Sequence, residues 1–177
     1  MTEVVVWDRS TLSQRRDEVL AVYAEAMQVT PASARNRRSI LASHLDRKGL
    51  RAAAAVDGDR LVAIGYGYLG EAGQWWHDQV REVLTDAVAR RWLDGAFEVC
   101  ELHVRPVQQR QGLGRQVLDA LLAQTSARTS VLTTPDAPTR ARGFYRSAGW
   151  VELACDVYFP GDSRAFAVLA KELQQRA

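Results

Sequence analysis

Glu101-Leu-His-Val-Arg-Pro-Val-Gln-Gln-Arg-Gln-Gly-Leu-Gly-Arg115 decides the reading of this chain. Phe97 to Val104 is strand-like, and Pro106, which has no N–H to give to a ladder, closes it. Val117, Leu118, Leu121 and Leu122 then recur on one face of a helix expected over residues 112–124. A strand thus feeds a helix through Gly112 and Gly114, and two local preferences are broken at the junction. Glycine in the first turns of a helix costs up to about 1 kcal/mol against alanine. Arg110 and Arg115 place positive charge at the helix end whose dipole prefers anions. A bound anion removes both oddities, because free N–H groups, the lack of Cβ atoms and the flanking guanidinium groups together make a phosphate cradle. The plain alternative is a tight turn with solvated arginines.

Two common phosphate ligands do not fit. A dinucleotide fold wants a third glycine three residues beyond the second, where Val117 stands, and it usually opens a chain rather than following several elements. A P-loop needs Gly-Lys-Ser/Thr after four intervening residues, and the chain has no such run.

Outward from this junction the elements are regular. Val4 to Trp7 reads as a strand, and Ser10 as the cap of a helix whose Leu12, Val19, Leu20, Tyr23, Ala26 and Met27 share a face. Thr30-Pro31 starts a second helix, with Ile40, Leu41 and Leu45 on its face and Gly49 as its stop. Arg51 to Val56 and Arg60 to Leu69 form a hairpin about Asp57-Gly58, a pair that accepts the positive φ of a tight turn. One helix is expected over residues 74–92, ended near Gly95. Ser130 to Thr134 is a strand, Pro138 to Ser147 a short helix, and Val151 to Phe159 with Ala165 to Leu173 a last strand pair around Pro160-Gly161. Strands enclosing a few helices make an α/β or α+β sandwich.

Composition bounds the function. With 177 residues, 47% apolar and 25% charged, the chain suits one domain with an adequate core. A net charge of +2 and a pI near 8.7 are too mild for the basic stripe of a nucleic-acid binder. Arginine far outnumbers lysine, which occurs only at Lys48 and Lys171; arginine suits phosphate, and a GC-rich genome gives the same bias. No apolar run approaches a membrane span, and Glu3, Asp8 and Arg9 around Val4-Val5-Val6 do not make a signal peptide. Cys100 and Cys155 lack zinc or disulfide spacing, which fits a reducing cytoplasm. His44, His77 and His103 show no metal spacing and no Gly-x-Ser-x-Gly elbow occurs, so neither a metal nor a serine hydrolase is expected.

Gln109-Arg-Gln-Gly-Leu-Gly114 resembles the Gln/Arg-x-x-Gly-x-Gly/Ala motif of the GNAT superfamily of acyl-CoA-dependent N-acyltransferases. Leu102-His-Val104-Arg-Pro106 is similar to the strand preceding it there, and Gly143-Phe-Tyr-Arg-Ser-Ala-Gly-Trp150 to the family's Phe-Tyr-x-x-x-Gly-Phe segment. The likeness covers residues 97–151 and is thin over residues 74–96. It implies a single GNAT-type domain over residues 1–177, with a mixed, mostly antiparallel sheet flanked by helices. It further implies that acetyl-CoA is the co-substrate: the backbone of Leu102 and Val104, about His103, pairs with the pantetheine arm. Amides along Gln109, Arg110, Gln111, Gly112, Leu113, Gly114 and Arg115 would hold the pyrophosphate. A splayed strand leaves N–H and C=O groups that such an arm can satisfy.

Acylation needs a neutral amine, and a lysine-like amine of pKa near 10.4 costs roughly 4 to 5 kcal/mol to deprotonate at pH 7. Glu101 is the expected base, direct or through water, with Glu98 and His103 behind it; Glu101 and His103 share a face if the strand is regular. The alternative makes Glu101 a solvated edge charge and His103 a satisfied core residue. The family pattern assigns protonation of the leaving thiolate to the tyrosine matched by Tyr145, while the Val104 N–H would steady the oxyanion. Many members carry Asn where Pro138 stands here, which puts contacts from that turn in question. Trp75, Trp76, His77 and Asp78 either wall a pocket for an aromatic or cationic amine or pack in the core. The expected activity is acetyl transfer to a primary amine of a small molecule or peptide, with no nucleic acid or membrane partner and a homodimer left open. A non-catalytic acyl-CoA sensor on the same cradle is the competing reading.

Overall fold

Backbone preferences place the elements, and interruptions of the apolar period divide several of them. Thr2–Trp7 forms β1. Helix α1 (Arg9–Gln14) is capped by Asp8 rather than Ser10: the Asp8 carboxylate accepts the Thr11 N–H at 2.7 Å. The helix expected to continue breaks at Arg15, and α2 runs Arg16–Met27. Thr30 caps as expected, accepting the Ser33 N–H at 3.1 Å with Pro31 in the first turn, but two helices follow, α3 (Pro31–Arg35) and α4 (Arg38–His44). β2 (Arg51–Asp57) and β3 (Arg60–Leu69) form the hairpin, with Asp57 opposite Arg60 and Gly58 at φ +58°.

The Trp-rich helix is also two, α5 (Trp75–Val83) and α6 (Asp86–Trp92). Leu84 is extended, and Thr85 begins a new cap by accepting the Val88 N–H at 3.4 Å. β4 (Phe97–Val104) leads through a 3-10 turn at Pro106–Gln108 to α7 (Leu113–Leu122). β5 (Thr129–Pro135), α8 (Arg140–Ser147), β6 (Val151–Tyr158) and β7 (Ala165–Glu172) follow.

The computed structural model describes residues 1–174. Its strands form a seven-stranded sheet in the order β1-β2-β3-β4-β5-β7-β6. β1–β2, β2–β3, β5–β7 and β6–β7 are antiparallel, and β4 runs parallel to β5 at Phe97↔Ser130 and Glu98↔Val131. β6 forms one border of the sheet, and its register against β7 shifts twice, between Glu152 and Ala154 and between Ala154 and Val157.

The chain divides into two compact units, Met1–Tyr68 with Val99–Thr125, and Leu69–Glu98 with Ser126 onward. In the first, Trp7, Leu12, Val22, Leu41, Leu61 and Ile64 build one core. α7 lies against β1 and β2 and buries Leu113, Val117, Leu118 and Leu121. Gly65 makes that approach feasible: a Cβ there would stand 3.2 Å from both Leu102 Cδ1 and Val117 Cγ1. In the second unit Val80, Leu93, Val131, Val157 and Val168 form the core. Among the described residues no helix is long and apolar enough to cross a membrane.

Candidate active site

The first unit carries the glycine junction. Arg105 anchors its entrance: its N–H donates to the Val62 carbonyl at 2.9 Å, its Nε to the Leu61 carbonyl at 2.7 Å, and its guanidinium pairs with Glu25. Two residues then turn left-handed, Arg110 at φ +67° and Gly112 at φ +79°. Such a φ costs an ordinary L-residue roughly 1–2 kcal/mol, so Arg110 marks a backbone path held against local preference. No side chain caps α7 and no acidic residue lies in its first turn. Its first inward-bonded amide is that of Arg115, which donates to the Gly112 carbonyl at 3.1 Å, so the N–H groups of Leu113 and Gly114 precede it. A Cβ on Gly112 would meet only Gln116 Nε2, at 3.7 Å, leaving the approach open.

The side chains around the turn are partly engaged. Gln109 Nε2 donates to the Val104 carbonyl at 3.0 Å. Gln111 Nε2 reaches the Val107 carbonyl at 3.3 Å. Arg115 Nε lies 3.0 Å from an Asp119 oxygen one turn on, an exposed pair of small energetic weight.

On β4 the expected alternation holds. Leu102 turns toward Gly65, and Glu101 and His103 share the other face with α2 and α4. There Glu101 Oε2 meets His103 Nε2 at 2.5 Å, and Glu101 Oε1 accepts from the Arg37 guanidinium. Burial would raise the Glu101 carboxyl; the hydrogen bond and charge of His103, together with Arg37, outweigh it and hold the group below the usual carboxylate range. Glu101 is therefore an ionised, paired carboxylate. Arg37 lies over the face of Tyr23, 4.7 Å from its ring centroid, and Tyr23 meets His103 edge-on at 5.2 Å. Nearby, His44 Nδ1 and the Tyr66 hydroxyl are 3.1 Å apart. Burial, with Arg47 and Arg37, lowers the His44 pKa against the pull of Glu101, while burial drives the Tyr66 phenol well up.

Tyr145 belongs to the second unit. It lies on α8, buried, with edge-on contacts to Phe144 at 5.0 Å and Trp150 at 5.6 Å. Thr139 caps that helix, its hydroxyl accepting the Arg142 N–H at 3.3 Å, so Pro138 precedes the helix. The Trp-rich segment disperses rather than forming one wall. Trp75 is 56% exposed, Trp76 Nε1 donates to Thr133 Oγ1 at 3.3 Å, and Asp78 accepts the Gly73 N–H at 3.0 Å. His77 is buried, 2.8 Å from Glu98 Oε1, so both are committed to the interior. Asp136, Cys155 and Asp156 bring three ligand-type atoms within 4.8 Å of one another, but Asp136 is engaged by Arg142 and by the Asp156 N–H at 2.8 Å.

The sequence pattern pointed to Glu101, His103 and the glycine junction but missed Arg37, whose partner is 64 positions away. The available signal was local: Asn36-Arg37-Arg38 interrupts the apolar spacing of the expected second helix.

Comparison with known proteins supplies the kinship. A GCN5-like protein acetyltransferase of Mycobacterium tuberculosis is 29% identical, over 93% of this chain and 94% of its own length. A GNAT-family protein of Desulfovibrio desulfuricans has the same fold at a TM-score of 0.70 and 18% identity, covering 97% of this chain and 99% of that one. A Salmonella typhimurium protein of acetyltransferase type, solved with its cofactor acetyl-CoA, aligns at a TM-score of 0.62 and 13% identity, over 99% of this chain and 96% of that one. The family description "Acetyltransferase (GNAT) domain" matches residues 53–152, more than half of the chain and including both the glycine junction and Tyr145, so this protein belongs to the GNAT acetyltransferase family.

Proposed function

We propose that the protein is a cytoplasmic N-acetyltransferase, a single GNAT-type domain that moves an acetyl group from acetyl-CoA to a primary amine of a small molecule or peptide. The observation that carries this reading is the uncapped start of α7, entered through left-handed Arg110 and Gly112 with open space before it. Such a start is built for an anion, and its own side chains supply none. Amides from Arg110 through Gly114, with Arg115 beside them, are the proposed holders of the diphosphate, and the backbone of Leu102, His103 and Val104 that of the pantetheine amides; the Gln109 N–H, expected to join the cradle, is given instead to the Pro106 carbonyl at 3.3 Å. The Val104 N–H is the proposed donor that steadies the thioester oxygen as charge develops on it.

Acetyl-CoA supplies the activated acyl carbon. Glu101, with His103 bonded to it, attracts the ammonium and relays its proton away, directly or through water; being anionic, it has a site for that proton. The amine nitrogen forms the new C–N bond while the C–S bond breaks, and the Tyr145 phenol protonates the departing thiolate. Purified protein incubated with acetyl-CoA and a broad set of amines should release free thiol. Binding of coenzyme A with no release on any amine would make it an acyl-CoA sensor instead.

A further inference from the structure

A cavity in the first unit is closed by one of the protein's own cations. Its walls are Val19 and Leu20 of α2, Ile40 and Leu41 of α4, and Tyr66 of β3, and its polar end is Glu101. About 20 Å³ remains for a water-sized body to move in, room for little more than one water. The rest of the polar end is taken by His103, which meets the other Glu101 oxygen, and by Arg37, whose guanidinium covers the Tyr23 ring and bonds Glu101. Arg37 reaches there from the break between α3 and α4, a junction without a side-chain cap, and its side chain is 36% exposed.

We infer that Arg37 is an internal stand-in for the acceptor, and that this cavity takes a primary ammonium carried on an aromatic or aliphatic body. The inference rests on the acetyltransferase reading and narrows its substrate class. An ammonium entering between Tyr23 and Glu101 replaces one cation by another, so the carboxylate never stands unpaired and the exchange is nearly neutral electrostatically. Net affinity then comes from the ligand's apolar body against the four aliphatic walls. Those walls also set the exclusion. Tyr23 and Tyr66 are the hydroxyl-bearing residues of the lining, and the Tyr66 hydroxyl already faces His44 at 3.1 Å, so most hydroxyls of a polyol would be buried without partners, at about 1–3 kcal/mol each. A carboxylate on the ligand would face Glu101 once Arg37 had moved.

The test is calorimetric binding of phenethylamine, glucosamine and phenylalanine to the intact protein without acetyl-CoA, for wild type, Arg37→Ala, Arg37→Met and Glu101→Gln. A latch closed about nine-tenths of the time weakens apparent binding tenfold. Phenethylamine should therefore bind the two Arg37 variants about tenfold more tightly than wild type and fail to bind Glu101→Gln, with glucosamine weak throughout. Arg37→Met keeps bulk over Tyr23 should Arg37→Ala loosen the helix junction. Unchanged or weaker phenethylamine binding in both Arg37 variants overturns the inference, as does equal binding of glucosamine. Preference of wild type for phenylalanine, lost in the variants, would overturn it by making Arg37 a carboxylate receptor. Coenzyme A is titrated separately: its failure to bind wild type would sink the acetyltransferase reading, and the amine comparison would still decide this one.

Discussion

His77 Nδ1 and Glu98 Oε1 lie 2.8 Å apart with each side chain only 2% exposed, and Gly70 is what makes room for them. A Cβ on Gly70 would stand 2.1 Å from Glu98 Oε1 and 2.7 Å from His77 Nδ1. Breaking a buried hydrogen-bonded pair of this kind costs several kcal/mol, because the group left without its partner has no water to fall back on. Gly70→Ala should therefore lower unfolding stability by about 3 kcal/mol, seen as a lower urea midpoint at unchanged slope. A loss under about 0.5 kcal/mol would show that the pair yields readily.

Gly112 and Gly58 are both left-handed, at φ +79° and +58°, and neither is crowded: a Cβ meets nothing within 4 Å at Gly58 and only Gln116 Nε2 at Gly112. Alanine at either should cost about 1–2 kcal/mol of stability for the same backbone reason. Only Gly112→Ala should weaken coenzyme A binding, by tenfold or more, roughly 1.4 kcal/mol. Parallel calorimetry on the two variants separates the cradle from generic strain, and equal affinities would remove the phosphate assignment.

Tyr145→Phe keeps the ring that meets Phe144 and Trp150 and deletes only the hydroxyl. Turnover should fall by about 10²–10⁴, the span typical of a lost general acid, with little change in coenzyme A affinity. Equal turnover would end the acid assignment.

The two titrations in the first unit act in one direction. The Glu101 carboxyl, held low by His103 and Arg37 against burial, contributes stability in full above its unfolded value and loses it as the pH falls through its folded one. His44, lowered from 6.5 chiefly by burial, binds fewer protons folded than unfolded just below that pH, so stability also falls there on acidification. Urea midpoints should thus decline steadily from about pH 7 to about pH 4. His44→Gln should flatten the upper part of that slope, and an unaltered upper slope would mean that His44 does not set it.

Much of this was legible because the signals are local. The Asp57-Gly58 turn and the strand from Phe97 to Val104 fall where the sequence puts them, since turn chemistry and proline are decided within a few residues. Helix breaks at Arg15 and Leu84 were hidden because apolar residues resume near phase on the far side, so the period looks unbroken. Glu101 could be singled out by its position on the strand. Its pairing with Arg37 could not, because a contact across 64 positions leaves no trace in spacing. Glu98 looked like a reserve base because it is a carboxylate on the same strand as Glu101; only the fold shows it bound to His77 in the interior.

The broken step of β6 has a consequence outside the folded monomer. A border strand offers bare donors and acceptors on which a foreign strand can template itself, and growth into fibres requires that the newcomer keep pace rung after rung. β6 slips twice within eight residues and carries Asp156 at φ +52°. An invading strand would have to reproduce each of these slips or leave its own amides unmatched, so on this side the sheet resists runaway self-association.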